Sequence, residues 1–156
     1  MYLNMEDGNN VGDDALYVGE RGLSNIYKGI FQISSDAGGL TTSYTPTLAL
    51  LFQPSYGWQI YGRGGAHNSG GPAAITLSQW YHFAYVKTAG ASKLYIDGTQ
   101  VITGSDTTNY AVRYIAIGGT YSTGYLWNGY IQDMRISFDL ARYTSNFTPP
   151  TAEFSG

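Results

Sequence analysis

The chain has no cysteine, which excludes a disulfide framework and thiolate chemistry and leaves its redox compartment open. Only 12% of its residues are charged, and its eight lysines and arginines are scattered along a chain of net charge −3. That pattern does not make a nucleic-acid footprint. No run of about 18 apolar residues is present, and the amino terminus has neither basic residues nor an apolar core. Membrane insertion and export by a signal peptide are therefore not expected. No stretch of about 12 residues shows helical spacing, so the chain reads as all-β. The only histidines are His67, in a glycine-rich segment, and His82, mid-strand beside Trp80, so Ser-His-Asp catalysis is not expected either. Gly62-Arg63-Gly64-Gly65 does not lead into a helix and cannot cradle a phosphate. No internal repeat is visible.

What the chain does have is 21 glycines and 15 tyrosines in 156 residues. This suits many short strands joined by tight turns in a single domain, 1–156, large enough to bury a core. Residues 80–102 organise the rest. Trp80, His82, Ala84 and Val86 alternate with Tyr81, Phe83 and Tyr85, and both sets are largely apolar. That fits a central strand covered on both faces. As its anchor, Trp80 is expected to cost roughly 3–5 kcal/mol when cut to alanine. Residues 93–96 form a second strand, Asp97-Gly98 a two-residue type I′ reversal, and 99–102 the return strand.

Around this meander, residues 1–3 read as a short edge strand, and 15–18 and 26–34 as further strands. Residues 48–52 and 58–61 read as a hairpin about the Gln53-Pro54-Ser55-Tyr56-Gly57 turn. Residues 62–72 are glycine-rich and read as a long surface loop of the kind that carries binding sites. Residues 103–109 read as a polar loop. Pro149 and Pro150 keep the tail out of any central strand.

Several blocks resemble a known family. Trp80-Tyr81-His82-Phe83-Ala84-Tyr85-Val86, Leu94-Tyr95-Ile96-Asp97-Gly98, Ile115-Ala116-Ile117-Gly118-Gly119 and residues 127–136 occur in the order found in laminin-G-like domains. These belong to the concanavalin A-like lectin/glucanase superfamily. The resemblance implies a jelly-roll β-sandwich of two antiparallel sheets, with 127–136 as its last strand. Residues 11–28 do not match the family's opening strand, which leaves room for an edge completed by a neighbouring chain. Ala141-Arg142-Tyr143-Thr144 with Asn146-Phe147-Thr148-Pro149-Pro150-Thr151 is similar to the ending of such modules in tailed-phage virion proteins. That likeness implies a tail, 141–156, wrapping along the sandwich, and a protein assembled in the host cytoplasm that resides on the virion surface.

A glucanase of this superfamily would need paired carboxylates facing one cleft. None of the eleven acidic residues makes such a pair within an expected strand. Asp13 and Asp14 are adjacent, Asp97 is explained by its turn, and Asp133 is expected to pair with Arg135 on the same face. No enzyme, metal or cofactor is therefore expected. The Glu6-Asp7-Gly8-Asn9-Asn10 and Asp13-Asp14 stretches are the only ones oxygen-rich enough for Ca2+, and they lack a defined ligand spacing.

Binding remains. Tyr56 and Trp58 flank one turn, Tyr121 and Tyr125 lie in another with Trp127 beside them, and His67 and Asn68 lie in the 62–72 segment. Tyr56, Trp58, His67, Asn68, Tyr121 and Tyr125 are the candidate ligand contacts, since sugar recognition uses exposed aromatic faces and amide groups. The competing reading places Trp58 and Trp127 in the core. The expected function is a non-enzymatic virion surface module, either capsid decoration or part of a tail fibre. Its expected partners are other virion proteins, further copies of itself and a host-surface glycan. A lectin domain and a divergent glycoside hydrolase are the alternatives.

Overall fold

A computed structural model describes residues 2–4, 28–34, 47–53, 56–63, 67–70, 76, 79–88, 90–108, 110, 114–119, 126–127, 129–152 and 154. Among these, ten strands make two antiparallel five-stranded sheets. The first has the order β10 (Ile131–Gln132), β1 (Tyr2–Asn4), β6 (Trp80–Thr88), β7 (Gly90–Ile96), β8 (Thr99–Asp106). The second runs β5 (His67–Gly70), β4 (Gly57–Arg63), β3 (Thr47–Gln53), β2 (Lys28–Ser34), β9 (Tyr114–Ile117). The β-sandwich expected from the sequence is what the chain forms.

Alternation drives this arrangement. Leu48, Leu50 and Phe52 of β3 with Trp58 and Ile60 of β4 face Phe83, Leu94, Ile96 and Ile102 of the other sheet, and all are buried. Trp58 sits at the centre, its ring 4.3 Å from that of Phe83, 4.8 Å from Phe52 and 6.3 Å from Trp127, centroid to centroid. Such tilted contacts let aromatic edges meet aromatic faces.

The meander β6–β7–β8 is present with the expected register, Phe83 opposite Ile96 and Ile96 opposite Thr99. Asp97 and Gly98 have φ of 49° and 77°, the left-handed pair that a type I′ reversal requires. The β3–β4 hairpin is also as expected, Gln53 pairing with Gly57.

Several expectations need correction. Trp80 is 42% exposed at the end of β6, so burial on the two faces of this strand falls to His82 and Phe83. The strand at the amino terminus is not an edge: Leu3 pairs with Tyr81 on one side and Ile131 on the other. The 62–72 segment contains β5, paired to β4 by its backbone, which an edge strand can do without apolar side chains. The polar residues 103–106 extend β8 for the same reason. The last strand shrinks from 127–136 to Ile131–Gln132, because Gly129 (φ 143°) and Asp133 (φ 56°) adopt backbone that no ladder continues through. The strand expected at 15–18 lies outside the described residues.

Residues 143–147 of the tail contact the first sheet. Phe147 donates its N–H to the Gly98 carbonyl (3.0 Å), Asn146 accepts from the Gln100 N–H (2.9 Å), and Lys93 Nζ donates to the Thr144 carbonyl (2.8 Å). Tyr143 stacks on Phe147 at 3.7 Å, and Phe147 meets Tyr95 and His82 edge to face. This covers the outer face of the first sheet with aromatic surface.

Candidate functional site

Of the residues singled out from the sequence, Tyr56 and Trp58 do not share a surface. Tyr56 is 64% exposed at the β3–β4 turn, its N–H held by the Gln53 carbonyl at 3.0 Å. Trp58, two residues on, points inward, is fully buried and cannot stack on a ligand. That is a correction, and its cause is that Trp58 shares with Ile60 the face of β4 turned to the core, while Tyr56 lies in the turn before the strand. His67 and Asn68 lie on β5 opposite Tyr61 and Ile60. Tyr121 and Tyr125 fall outside the described residues, as do the oxygen-rich stretches considered for Ca2+. Among the described residues no cluster of His, Asp and Glu could hold a metal.

Three carboxylates have structural work. Asp97 Oδ1 accepts the His82 N–H at 2.8 Å, and the Asp97 N–H returns to the His82 carbonyl at 2.9 Å. Asp106, buried, accepts from the Thr108 N–H at 3.0 Å and from the Tyr110 hydroxyl at 3.2 Å. Asp133 takes the Phe154 N–H on both oxygens at 3.1 Å, while Arg135 lies over the Phe154 ring, 3.9 Å from its centroid. The expected Asp133–Arg135 ion pair is thus replaced, among the described residues, by two separate contacts to Phe154.

What the structure adds is a groove. Among the described residues, β1 pairs with β6 at Trp80, Tyr81 and His82, while β6 runs on to Thr88. A cavity of about 700 Å3 follows residues 82–88 and is walled on its far side by residues 134–143. Its floor is apolar, with Phe31, Ile33 and Leu48 of the second sheet and Phe83 of the first. Around its mouth Ile136, Phe138 and Leu140 are 45%, 67% and 55% exposed. Ile115 and Ile117, also exposed, are the cross-strand neighbours of Ile33 and Phe31.

One end of the groove is polar. Tyr85 and Tyr110 line it beside Lys87, whose ammonium lies 5.8 Å from the Tyr110 ring centroid. Burial and the Asp106 carboxylate raise both phenols, Tyr110 to about 12, so each stays protonated at neutral pH. These are hydrogen-bonding groups rather than bases. The sequence held one signal for this region. Ile136-Ser137-Phe138-Asp139-Leu140 alternates as a strand would, yet no ladder forms there and the apolar set meets solvent.

His82 forms the hinge between groove and tail. Its ring meets Tyr143, Phe147 and Phe154 edge-on at 6.2, 5.5 and 6.4 Å. Burial pushes its pKa down to about 4; Arg135 acts in the same direction, and Asp97 and Asp133 oppose it. A histidine whose folded pKa lies below its ordinary 6.5 favours the neutral state on folding. That contribution is fully present above pH 6.5 and is lost as pH falls towards 4. Denaturant unfolding of the wild type should therefore lose more stability between pH 7 and 4 than His82→Gln loses. Parallel pH profiles for the two proteins would contradict this.

A family model described as the concanavalin A-like lectin/glucanases superfamily matches residues 24–141. A comparison with curated proteins gives no significant match.

Proposed function

Since this chain belongs to the concanavalin A-like lectin/glucanase superfamily, we propose that it is a non-enzymatic docking module whose contact surface is the groove beside β6. The observation that carries the reading is that Ile136, Phe138 and Leu140 line the groove and are exposed. Apolar patches of this kind mark surfaces that meet a partner. The engagement of Asp97, Asp106 and Asp133 in structural hydrogen bonds supports a role without hydrolysis. The likeness of residues 141–151 to tailed-phage modules supports a setting on a virion surface, as capsid decoration or tail fibre. There, many linked copies would turn weak single contacts into firm attachment.

Glycan binding is the second reading, favoured by the superfamily and by the exposed Tyr56 ring. The two readings separate by experiment. Purified protein should co-sediment with phage particles lacking it, and Phe138→Asp should weaken that binding at least about tenfold without lowering the melting temperature. Particle binding indifferent to Phe138→Asp, with saturable glycan-array binding lost in Tyr56→Ala, would replace docking by the lectin reading.

A further inference from the structure

We infer that a polar hollow between the first sheet and the tail binds an acidic sugar unit, a saccharide ring carrying a carboxylate. Lys93 of β7, Gln100 of β8 and Thr144, Ser145 and Asn146 of the tail line this hollow of about 630 Å3. None of the five lines the groove beside β6, and Tyr56 lies at a turn of the other sheet. The site therefore stands whether or not the groove docks a partner.

The first support is that its donors are held in place by the fold itself. Lys93 Nζ donates to the Thr144 carbonyl at 2.8 Å, which leaves two of its three N–H groups for a ligand. Asn146 Oδ1 accepts the Gln100 N–H at 2.9 Å, so the carboxamide is fixed in orientation and its nitrogen keeps both N–H groups. The next residue is pinned as well, with the Phe147 N–H on the Gly98 carbonyl and the Phe147 ring stacked on Tyr143. Donors ordered in this way lose little freedom when a ligand arrives.

The second support is the chemistry of the lining. An ammonium, two carboxamides and two hydroxyls form it, with no hydrophobic side chain among the described residues there. A protein or peptide partner would need an aromatic or aliphatic anchor, since such interfaces centre on them. Sugar hydroxyls both donate and accept, and carboxamides and hydroxyls answer them in kind.

Charge narrows the class further. Among the described lining residues Lys93 is the one cation and no carboxylate accompanies it, in a protein of net charge −3. A ligand carboxylate would take the free ammonium donors in charge-assisted bonds, roughly twice as strong as neutral ones. The ring hydroxyls would meet the amides of Gln100 and Asn146. A neutral sugar would forgo the stronger half of this arrangement.

The test is a titration of the full protein with sialyllactose and with trigalacturonate, followed by backbone amide NMR shifts. Gln100 and residues 144–147 should shift saturably, and lactose, the neutral counterpart, should bind at least about tenfold more weakly. Asn146→Asp keeps the oxygen that holds Gln100 but exchanges the two donors for a second carboxylate oxygen. It should lose at least about tenfold in affinity with the fold intact, as amide shifts elsewhere will report. Lys93→Gln should bring the acidic sugars down to the level of lactose, and added salt should weaken their binding to the wild type. Phe138→Asp and Tyr56→Ala should bind them as the wild type does. Lactose binding as well as sialyllactose would overturn the inference, and so would acetate producing the same shifts at equal concentration, which would leave only a simple anion site. Shifts confined to other residues, unchanged affinity in Asn146→Asp, or no saturable shift with either acidic sugar would overturn it equally. Sugar binding lost in Tyr56→Ala but kept in Asn146→Asp would move recognition to the β3–β4 turn. Docking in the groove is judged separately, by the particle binding of Phe138→Asp.

Discussion

Gly98→Val should destabilise the protein by roughly 3 kcal/mol or more, and Gly98→Ala should do nearly as much. Two costs coincide at this position. The backbone has φ of 77°, which a β-branched residue resists. A Cβ built there would also stand 1.8 Å from the Phe147 carbonyl oxygen and 3.2 Å from Pro149 Cδ. The Gly98 carbonyl accepts the Phe147 N–H, so the tail cannot move aside without losing that bond. The clash belongs to the first side-chain carbon, which is why alanine should be little better than valine. Urea unfolding of Gly98→Val, Phe147→Ala and the double variant checks the account. Because Phe147→Ala removes the ring that anchors the tail against which the new Cβ would press, the double variant should be less destabilised than the sum of the singles. Strict additivity would mean that only turn strain matters.

Trp58→Ala should cost about 3–5 kcal/mol, through lost transfer energy and the cavity left between the sheets. For a chain of this size that corresponds to a fall in melting temperature of roughly 10 °C. Trp58 is fully buried and contacts aromatic rings from both sheets, so the surroundings cannot easily collapse around a missing indole. Trp80→Ala, at a residue 42% exposed, should cost no more than about 1 kcal/mol. Equal melting temperatures for the two alanine variants would place the core elsewhere. Trp58→Phe should be far milder than Trp58→Ala. It keeps an aromatic ring in the site, and the Trp58 Nε1 donor has no hydrogen-bond partner among the described residues.

Strands were legible wherever side chains alternate in a strongly apolar run. The β3–β4 hairpin and the β6–β7–β8 meander came through at nearly their expected bounds, since period-two burial and a two-residue reversal are local properties. Strands paired by backbone alone were less legible. His67–Gly70 and Thr103–Asp106 carry small or polar side chains, and their ladders depend on which neighbour lies alongside. The opposite error occurred at 127–136, expected as the last strand, where only Ile131–Gln132 joins a sheet.

The candidate site was the least legible part. Tyr56 and Trp58 stand close together in the chain, yet one lies in the turn in water and the other in β4 facing the core. The groove draws on Phe31 and Ile33, Phe83 and Tyr85, and residues 134–143, segments brought together only when the two sheets pack. The sequence by itself determined the all-β class, the Asp97-Gly98 turn, and the position of the principal hairpin and meander, because each follows from local alternation and backbone preference. Only the tertiary structure decided that Trp58 rather than Trp80 anchors the core. It alone placed β1 inside a sheet, closed the tail over Gly98 and brought residues 134–143 to the groove beside β6. Those outcomes depend on long-range register and on which faces meet, and neither is encoded within a single stretch of chain.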